Sequence, residues 1–384
     1  MGPPFQVFPE KWDLESIVGK RGVLAISVSL YFPPGEHIIL HYRLVFVVLM
    51  LPVSLLYDLW FSLRGRLVFL LHSRPRKHRE KVERLQREVR ERRLSPVKVN
   101  LVDILEVDPR RRVVVCEPHV SLAQLTARLD RAGWTLPVLP ELDQLTVGGL
   151  VMGAGIESAS HRRGLFQHIC RSYELVLPDG SLVQCSPQSD PDLFYSIPWS
   201  YGTLGLLTKV EIEIVPSRRF VRLDYIPVYS LEQLVETLER EVERVDSAQF
   251  LECIVYGRDQ AVVMTANMVD CCDPEKLNEA GLWYKPWFYK HAQTFFHTGP
   301  GTEYLPLRDY YHRHSRSMFW QLEDLIPFGN NVVFRYLAGW LMPPKVSLLK
   351  LTQGKTLKRL YESKNLVQVG IFRRESNSSI YCHL

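Results

Sequence analysis

Leu145-Thr-Val-Gly-Gly-Leu-Val-Met-Gly-Ala-Gly-Ile-Glu-Ser158 is unlike the rest of this 384-residue chain, with Gly148, Gly149, Gly153 and Gly155 set among apolar side chains. Glycine permits positive φ and lets backbone N–H groups approach a ligand closely, as a pyrophosphate or a flat ring demands. Two elements that pack backbone to backbone need small residues just as much. Spacing alone therefore leaves a nucleotide site and a packing motif both open. No Gly-Lys-Ser/Thr follows, which excludes a Walker loop, and the pattern is not a clean G-x-G-x-x-G after a strand.

On both sides of this stretch the apolar residues alternate. Val99 to Val107 reads as a strand, Pro109-Arg-Arg111 as a turn and Val113-Val-Val115 as its hairpin partner. Ser121 with Gln124 forms a capping box for a helix over Leu122 to Ala132, which Gly133 closes. Downstream, Tyr173 to Leu177 and Leu182 to Cys185 flank the turn Pro178-Asp-Gly180. Asp190 opens a short helix through Tyr195, and Tyr201-Gly-Thr-Leu-Gly205 leads into an alternating strand over Leu206 to Val215. Glu141 and Asp143 read as a loop cap rather than a paired-carboxylate site. Phe220 to Ile226, Leu231 to Val245, Phe250 to Tyr256 and Ala261 to Met268 then read as β-α-β-β.

The length suits two domains. With 46% hydrophobic, 23% charged and 11% aromatic residues, the chain is neither disordered nor low-complexity. A mean hydropathy near zero excludes a polytopic membrane protein. The net charge of +5 is local, since residues 62–98 hold 13 Lys or Arg and 4 Asp or Glu and the remainder carries −4. One basic patch is not a nucleic-acid-binding surface, so no nucleic-acid partner is expected. Seven scattered cysteines with no C-x-x-C read as reduced thiols in a cytosol-facing protein without a structural zinc site.

Leu44 to Leu63 is apolar apart from Asp58 and long enough at helical rise to span a bilayer. Basic residues crowd its C-terminal side, from Arg64 to Lys81, which puts the body in the cytosol. The span is read as a membrane anchor, with a buried core helix as the alternative. It starts too far into the chain to be a cleavable signal peptide. Beyond it, Val82, Leu85 and Val89 form one stripe of a basic amphipathic helix, suited to anionic headgroups or simply a solvated helix.

The succession Thr146-Val-Gly-Gly149, Arg162-Arg-Gly-Leu-Phe166, Glu174 to Gly180, Asp192-Leu-Phe-Tyr195 and Gly202-Thr-Leu-Gly205 resembles the flavin domain of the vanillyl-alcohol-oxidase and p-cresol-methylhydroxylase type. Longer phrases narrow the resemblance: Thr135 to Asp143, Gly164 to Cys170, Tyr284 to Phe288, Tyr310 to Ser317 and Ile326 to Asn331. From about Ile38 to Gln368 the chain resembles the Δ24-sterol reductases, also called seladin or diminuto proteins. That resemblance implies an α+β fold: an N-terminal membrane-anchor helix, a two-lobed FAD-binding domain and a ferredoxin-like cap domain. The implied layout is an unassigned segment 1–36, an anchor 37–72, a basic juxtamembrane helix 73–98, the FAD-binding domain 99–217, a partial cap 218–368 and a divergent tail 369–384.

The implied activity is reduction of the Δ24 side-chain double bond of desmosterol-like sterols in cholesterol synthesis, with FAD and NADPH as cofactors and no metal. The resemblance places the enzyme in the endoplasmic reticulum membrane, single-pass with its body in the cytosol, with the Golgi membrane as a second location. Sterol, lipid membrane and other sterol-synthesis enzymes are the implied partners. Carried onto this sequence, the FAD-binding residues are Thr146, Val147, Gly148, Gly149, Leu150, Val151, Met152, Gly153, Ala154, Gly155, Ile156, Glu157 and Ser158, with Gly202, Thr203 and Gly205 beside them.

Two departures stand out. Between Leu94 and Val99 there is no room for the loop that wraps the pyrophosphate in this flavin fold, so the first lobe is largely missing. The resemblance also ends near Gln368, before the remaining cap strands. Both departures are what an alternatively spliced transcript or a mis-assembled gene model would give, and they raise a rival reading: a catalytically silent membrane-anchored variant that retains only membrane, sterol or partner binding. Alkene reduction needs a proton donor as well as a hydride. Candidates are Tyr310, Tyr311, His312 and His314, beside Arg313 and Arg316 that suit a dinucleotide phosphate. The alternative for this cluster is a polar strip at the surface or between lobes. The aromatic run Trp283 to Tyr289 is read as packing between domains, with a face toward sterol or the membrane surface as the alternative.

Overall fold

Val113 to Cys116 are buried on both faces, so this short run can only be an internal strand. The computed structural model describes residues 51–91, 100–244, 246–257, 259–314 and 328–341, with strand fragments at Val28–Ser29 and Leu366–Val367. Within it, β1 (Ile104–Asp108) and β2 (Val113–Cys116) form the expected hairpin, with Asp108 accepting the N–H groups of Arg110 and Arg111 across the turn. The strand starts at Ile104; Val99 lies outside the described residues. Helix α3 (Leu122–Asp130) carries the expected capping box, and Gly133 follows it at φ +75°. Further strands β4 (Cys170–Val176), β5 (Leu182–Cys185) and β6 (Leu206–Glu213) complete an antiparallel sheet of order β1-β2-β6-β4-β5. Trp134–Thr135, as β3, pairs separately with β7 (Val215–Pro216).

The second half builds the β-α-β-β unit read from the sequence: β8 (Phe220–Val228), α7 (Leu231–Glu243), β9 (Phe250–Gly257) and β10 (Gln260–Val269). A further strand, β11 (Gly301–Pro306), pairs with β8, so the order is β11-β8-β10-β9. The sequence reading missed this strand and assigned the remaining cap strands to positions beyond the chain. Period-two alternation gives each face its role. Leu251, Cys253, Val255 and Val263 pack under Leu234 and Leu238 of α7. Phe250, Ile254, Val262 and Met264 turn to the other side and join a core that also holds Val114, Leu150 and Ile212 of the first sheet. Both halves therefore share one continuous core.

At the N-terminal side, α1 (Leu51–His72) extends through Arg64 and Arg66, past the apolar stretch that ends at Leu63 and up to the expected end of the anchor at residue 72. Residues 44–50 of the expected span lie outside the described residues. Among the described residues no helix is long and apolar enough to cross a membrane. Helix α2 (His78–Arg90) departs from its lipid-facing reading: Val82 and Leu85 are buried against Val176, with Val89 and Leu206 alongside. The amphipathic stripe is the same, but a protein surface satisfies it.

Buried acids complete this dock. Asp103 accepts from Ser73 Oγ (2.6 Å), the Arg74 N–H (2.8 Å) and Lys81 Nζ (2.6 Å). Glu117, fully buried, accepts from Lys81 Nζ and the Asp103 N–H, and lies 2.7 Å from His78 Nδ1. His78 Nε2 lies 3.2 Å from Glu174. Burial alone would lower the His78 pKa, but its bonds to Glu117 and Glu174 raise it above the ordinary 6.5. A raised histidine stabilises the fold fully below its unfolded value and loses that contribution as pH rises through the folded one. The wild-type thermal midpoint should therefore fall from about pH 6.5 upward more steeply than that of His78→Ala. Parallel curves for the two proteins would remove His78 from the dock.

Candidate functional site

The glycine stretch is held from behind. Gly148 N–H donates to the Pro118 carbonyl (2.8 Å) and Val147 N–H to that of Val120 (3.0 Å). These bonds start α4 (Val147–Met152), which Thr146 caps through Oγ1 to the Gly149 N–H. A Cβ on Gly148 would stand 2.7 Å from Pro118 Cβ, and one on Gly155 would stand 2.9 Å from Phe166 Cβ. These two glycines serve close packing, one of the two readings left open by their spacing. Val147, Leu150 and Val151 are core residues.

The opposite side is open. Gly149 and Ala154 are exposed, and Thr146, Met152, Gly153, Ile156, Glu157 and Ser158 are half-buried. Among the described residues the amide N–H groups of Ala154, Gly155 and Ile156 have no hydrogen-bond partner. Loop 199–205 borders this face, since the Trp199 N–H donates to the Val151 carbonyl (3.3 Å) and Ser200 Oγ meets Met152 Sδ (3.3 Å). Tyr201 is 82% exposed, and the N–H groups of Tyr201 and Gly202 are likewise unpartnered among the described residues. Gly202 sits at φ +77° with open space where a Cβ would be, and Thr203 beside it is exposed. Gly205 serves packing instead, because its Cβ would meet the Val176 carbonyl at 2.8 Å. A row of free backbone donors beside exposed aromatic rings fits the edge and face of a flavin ring.

Behind Ser158 the stretch meets the second sheet. The Leu251 N–H donates to the Ser158 carbonyl (2.8 Å), and Tyr310 Oη to Ser158 Oγ (3.3 Å). The His161 ring lies between the carbonyls of Ser158 (3.0 Å) and Ala248 (2.9 Å). Tyr310 and Tyr311 end α10 (Leu307–Tyr311), and both are buried. Only Tyr310 reaches the glycine stretch. The Tyr311 hydroxyl accepts from Thr135 Oγ1 (2.9 Å), and burial raises the pKa of both phenols. His312 Nδ1 lies 2.9 Å from the Glu141 carbonyl. His314 Nε2 lies 2.7 Å from Glu252 Oε1 and 3.7 Å from Glu141 Oε2.

Arg313, nearly fully buried, binds Glu252 through Nε (3.0 Å) and Nη2, and stands 4.3 Å from the Tyr310 ring centroid. It is therefore committed within the protein and not offered to a dinucleotide phosphate; Ser315 to Ser317, including Arg316, and Trp320 lie outside the described residues. Burial would raise the Glu252 pKa, but Arg313 and His314 hold it down at about 2. The sequence reading missed Glu252, a residue whose partners lie about sixty positions away and leave no local signal. It also read Glu141 as a plain loop cap, although Glu141 gathers His312, His314 and Glu157. Trp287, Phe288 and Tyr289 are buried in the shared core as expected, while Trp283 is exposed. Among the described residues no group of His, Cys, Asp and Glu could hold a metal.

A packed antiparallel sheet, a capped glycine helix and a rim of free amides fit a flavin-binding protein. Residues 93–186 match the family model described as FAD binding domain. Over 363 residues the chain is 50% identical to the Delta(24)-sterol reductase of Mus musculus, covering 87% of this chain and 70% of the relative. The Homo sapiens protein of that name is 49% identical over the same shares, and the Arabidopsis thaliana one 40% identical over 277 residues, covering 69% and 49%. This chain belongs to the Delta(24)-sterol reductase family, oxidoreductases with an FAD-binding domain. Since 87% of 384 residues is about 334, about 29 positions of the 363-residue mouse match face no residue here.

Proposed function

We propose that this chain carries out FAD-dependent reduction of the side-chain double bond of sterols, with NADPH as the reductant. The observation that carries the reading is the open face from Gly149 to Ile156, with unpartnered amides in a chain half identical to sterol reductases. When bound, the reduced flavin supplies the hydride. The protein must hold the ring, exclude water and supply a proton. The backbone donors at Ala154 to Ile156 and at Tyr201 and Gly202 serve the first task. We assign the proton path to Tyr310 and Ser158: the buried phenol stays protonated and donates to Ser158 Oγ, which is half-buried at the open face.

The exposed apolar side chains of α1, among them Leu56, Leu59, Trp60, Leu63, Leu67 and Leu70, support a membrane location for that helix. The basic residues that follow favour a body on the cytosolic side of that membrane. A second reading, a silent membrane-bound variant, is favoured by the roughly 29 relative positions without a counterpart here. An absorbance spectrum of the detergent-purified protein separates the two. Stoichiometric bound FAD, bleached by NADPH and followed by desmosterol turnover, is the expected result. A folded but colourless protein would establish the silent variant.

A further inference from the structure

Three carboxylates, Glu141, Glu157 and Glu252, gather where the glycine stretch meets the cap sheet, and the ion pairs seen among the described residues there reach Glu252 and Glu141. Arg313 is committed to Glu252 through two nitrogens, and His314 lies 2.7 Å from the same carboxylate and 3.7 Å from Glu141. Among the described residues no cation comes within ion-pair distance of Glu157. Its Oε1 is instead held by a neutral donor, the Glu141 N–H (2.9 Å), while its own N–H donates to Ser160 Oγ (2.9 Å). A second anion beside Glu141, with no cation of its own among the described residues, meets like charge across a hydrogen bond, and such a group takes up a proton instead.

We propose that Glu157 is a positioning residue of the flavin site: as a neutral carboxylic acid it ties the face from Gly153 to Ser158 to the Glu141 loop. The Glu141 loop is in turn joined through His312 and His314 to the cap, and the neighbouring Ser158 is joined to it through Leu251 and Tyr310. The amides offered at Ala154, Gly155 and Ile156 are thereby kept in line. Burial first, and the Glu141 carboxylate second, push the Glu157 pKa upward; Arg313 and the Glu141 amide oppose that, and Glu252 adds to it. The inference rests on the flavin-site reading above.

The test uses the full chain in detergent. The wild type should show the infrared carbonyl stretch of a buried, protonated carboxylic acid, and Glu157→Gln should lack it. Because the amide keeps both the acceptor and a neutral donor, Glu157→Gln should retain flavin at wild-type stoichiometry and melt within a few degrees of wild type near neutral pH. Glu157→Ala, which removes the acceptor for the Glu141 N–H, should lower both. An acid with a raised pKa stabilises the fold below its unfolded value, 4.5, and loses that contribution as pH rises through the folded value. The wild-type midpoint should thus fall across that window more than that of Glu157→Gln. Persistence of the band in Glu157→Gln, loss of flavin or stability in that variant, or a silent Glu157→Ala would each overturn the proposal. Band and melting are read without sterol turnover. A chain that reduces no sterol would sink the proposed function and leave this inference to its own result.

Discussion

Glu252→Ala should cost about 3–5 kcal/mol of stability, because it leaves Arg313 and His314 buried without their shared carboxylate. The charge of Glu252 is what these partners use, so Glu252→Gln should recover only part of the loss. Chemical denaturation of the three proteins measures the difference. The pH dependence has a definite sign. With its pKa depressed to about 2, Glu252 contributes fully above its unfolded value of 4.5 and loses that contribution as pH falls through the folded value. The wild type and Glu252→Ala should therefore converge only in strong acid. A change below about 1 kcal/mol at neutral pH, the size expected of an exposed pair, would mean that the cluster does not brace the fold.

Tyr310→Phe should lower the rate of sterol reduction by about 10²–10⁴-fold, the usual worth of a positioned acid, while flavin stays bound. The ring remains to pack against Phe250 and under Arg313, so the structural loss is one hydrogen bond to Ser158, about 1 kcal/mol. Single-turnover oxidation of the reduced flavin by sterol isolates the step, with kcat falling and KM nearly unchanged. Tyr311→Phe is the control, since its hydroxyl meets Thr135 in the core. Equal rates for Tyr310→Phe and wild type would take the proton path away from Tyr310.

The elements most legible in the sequence were those with a local period. Alternation gave the β1–β2 and β4–β5 hairpins, and Ser121 with Gln124 marked the start of α3. The glycine stretch was legible as a place, though not by residue: only the folded neighbours Pro118 and Phe166 separate packing glycines from open ones. What was not legible comes from partners far apart in the chain. Val82 and Leu85 carry the same stripe whether they face lipid or Val176. Glu117 looks like any polar residue before a helix until Lys81 and His78 are brought to it. Strand β11 was hidden because Gly301 and Pro306 bound a short run containing Thr302 and Glu303, and its pairing with β8 makes it a strand.

Between α1 and α2 the chain has a joint of very few residues, and Asp103 grips it at Ser73 and Arg74 while Lys81 is gripped just beyond. A joint clamped on the side of the body restricts how far the body can swing about α1. With α1 seated in lipid, the flavin face would ride at one height above the bilayer and could not sweep its surroundings for substrate. Encounter would then depend on the sterol's own lateral diffusion, so turnover should follow membrane fluidity and the surface density of sterol more closely than its bulk concentration.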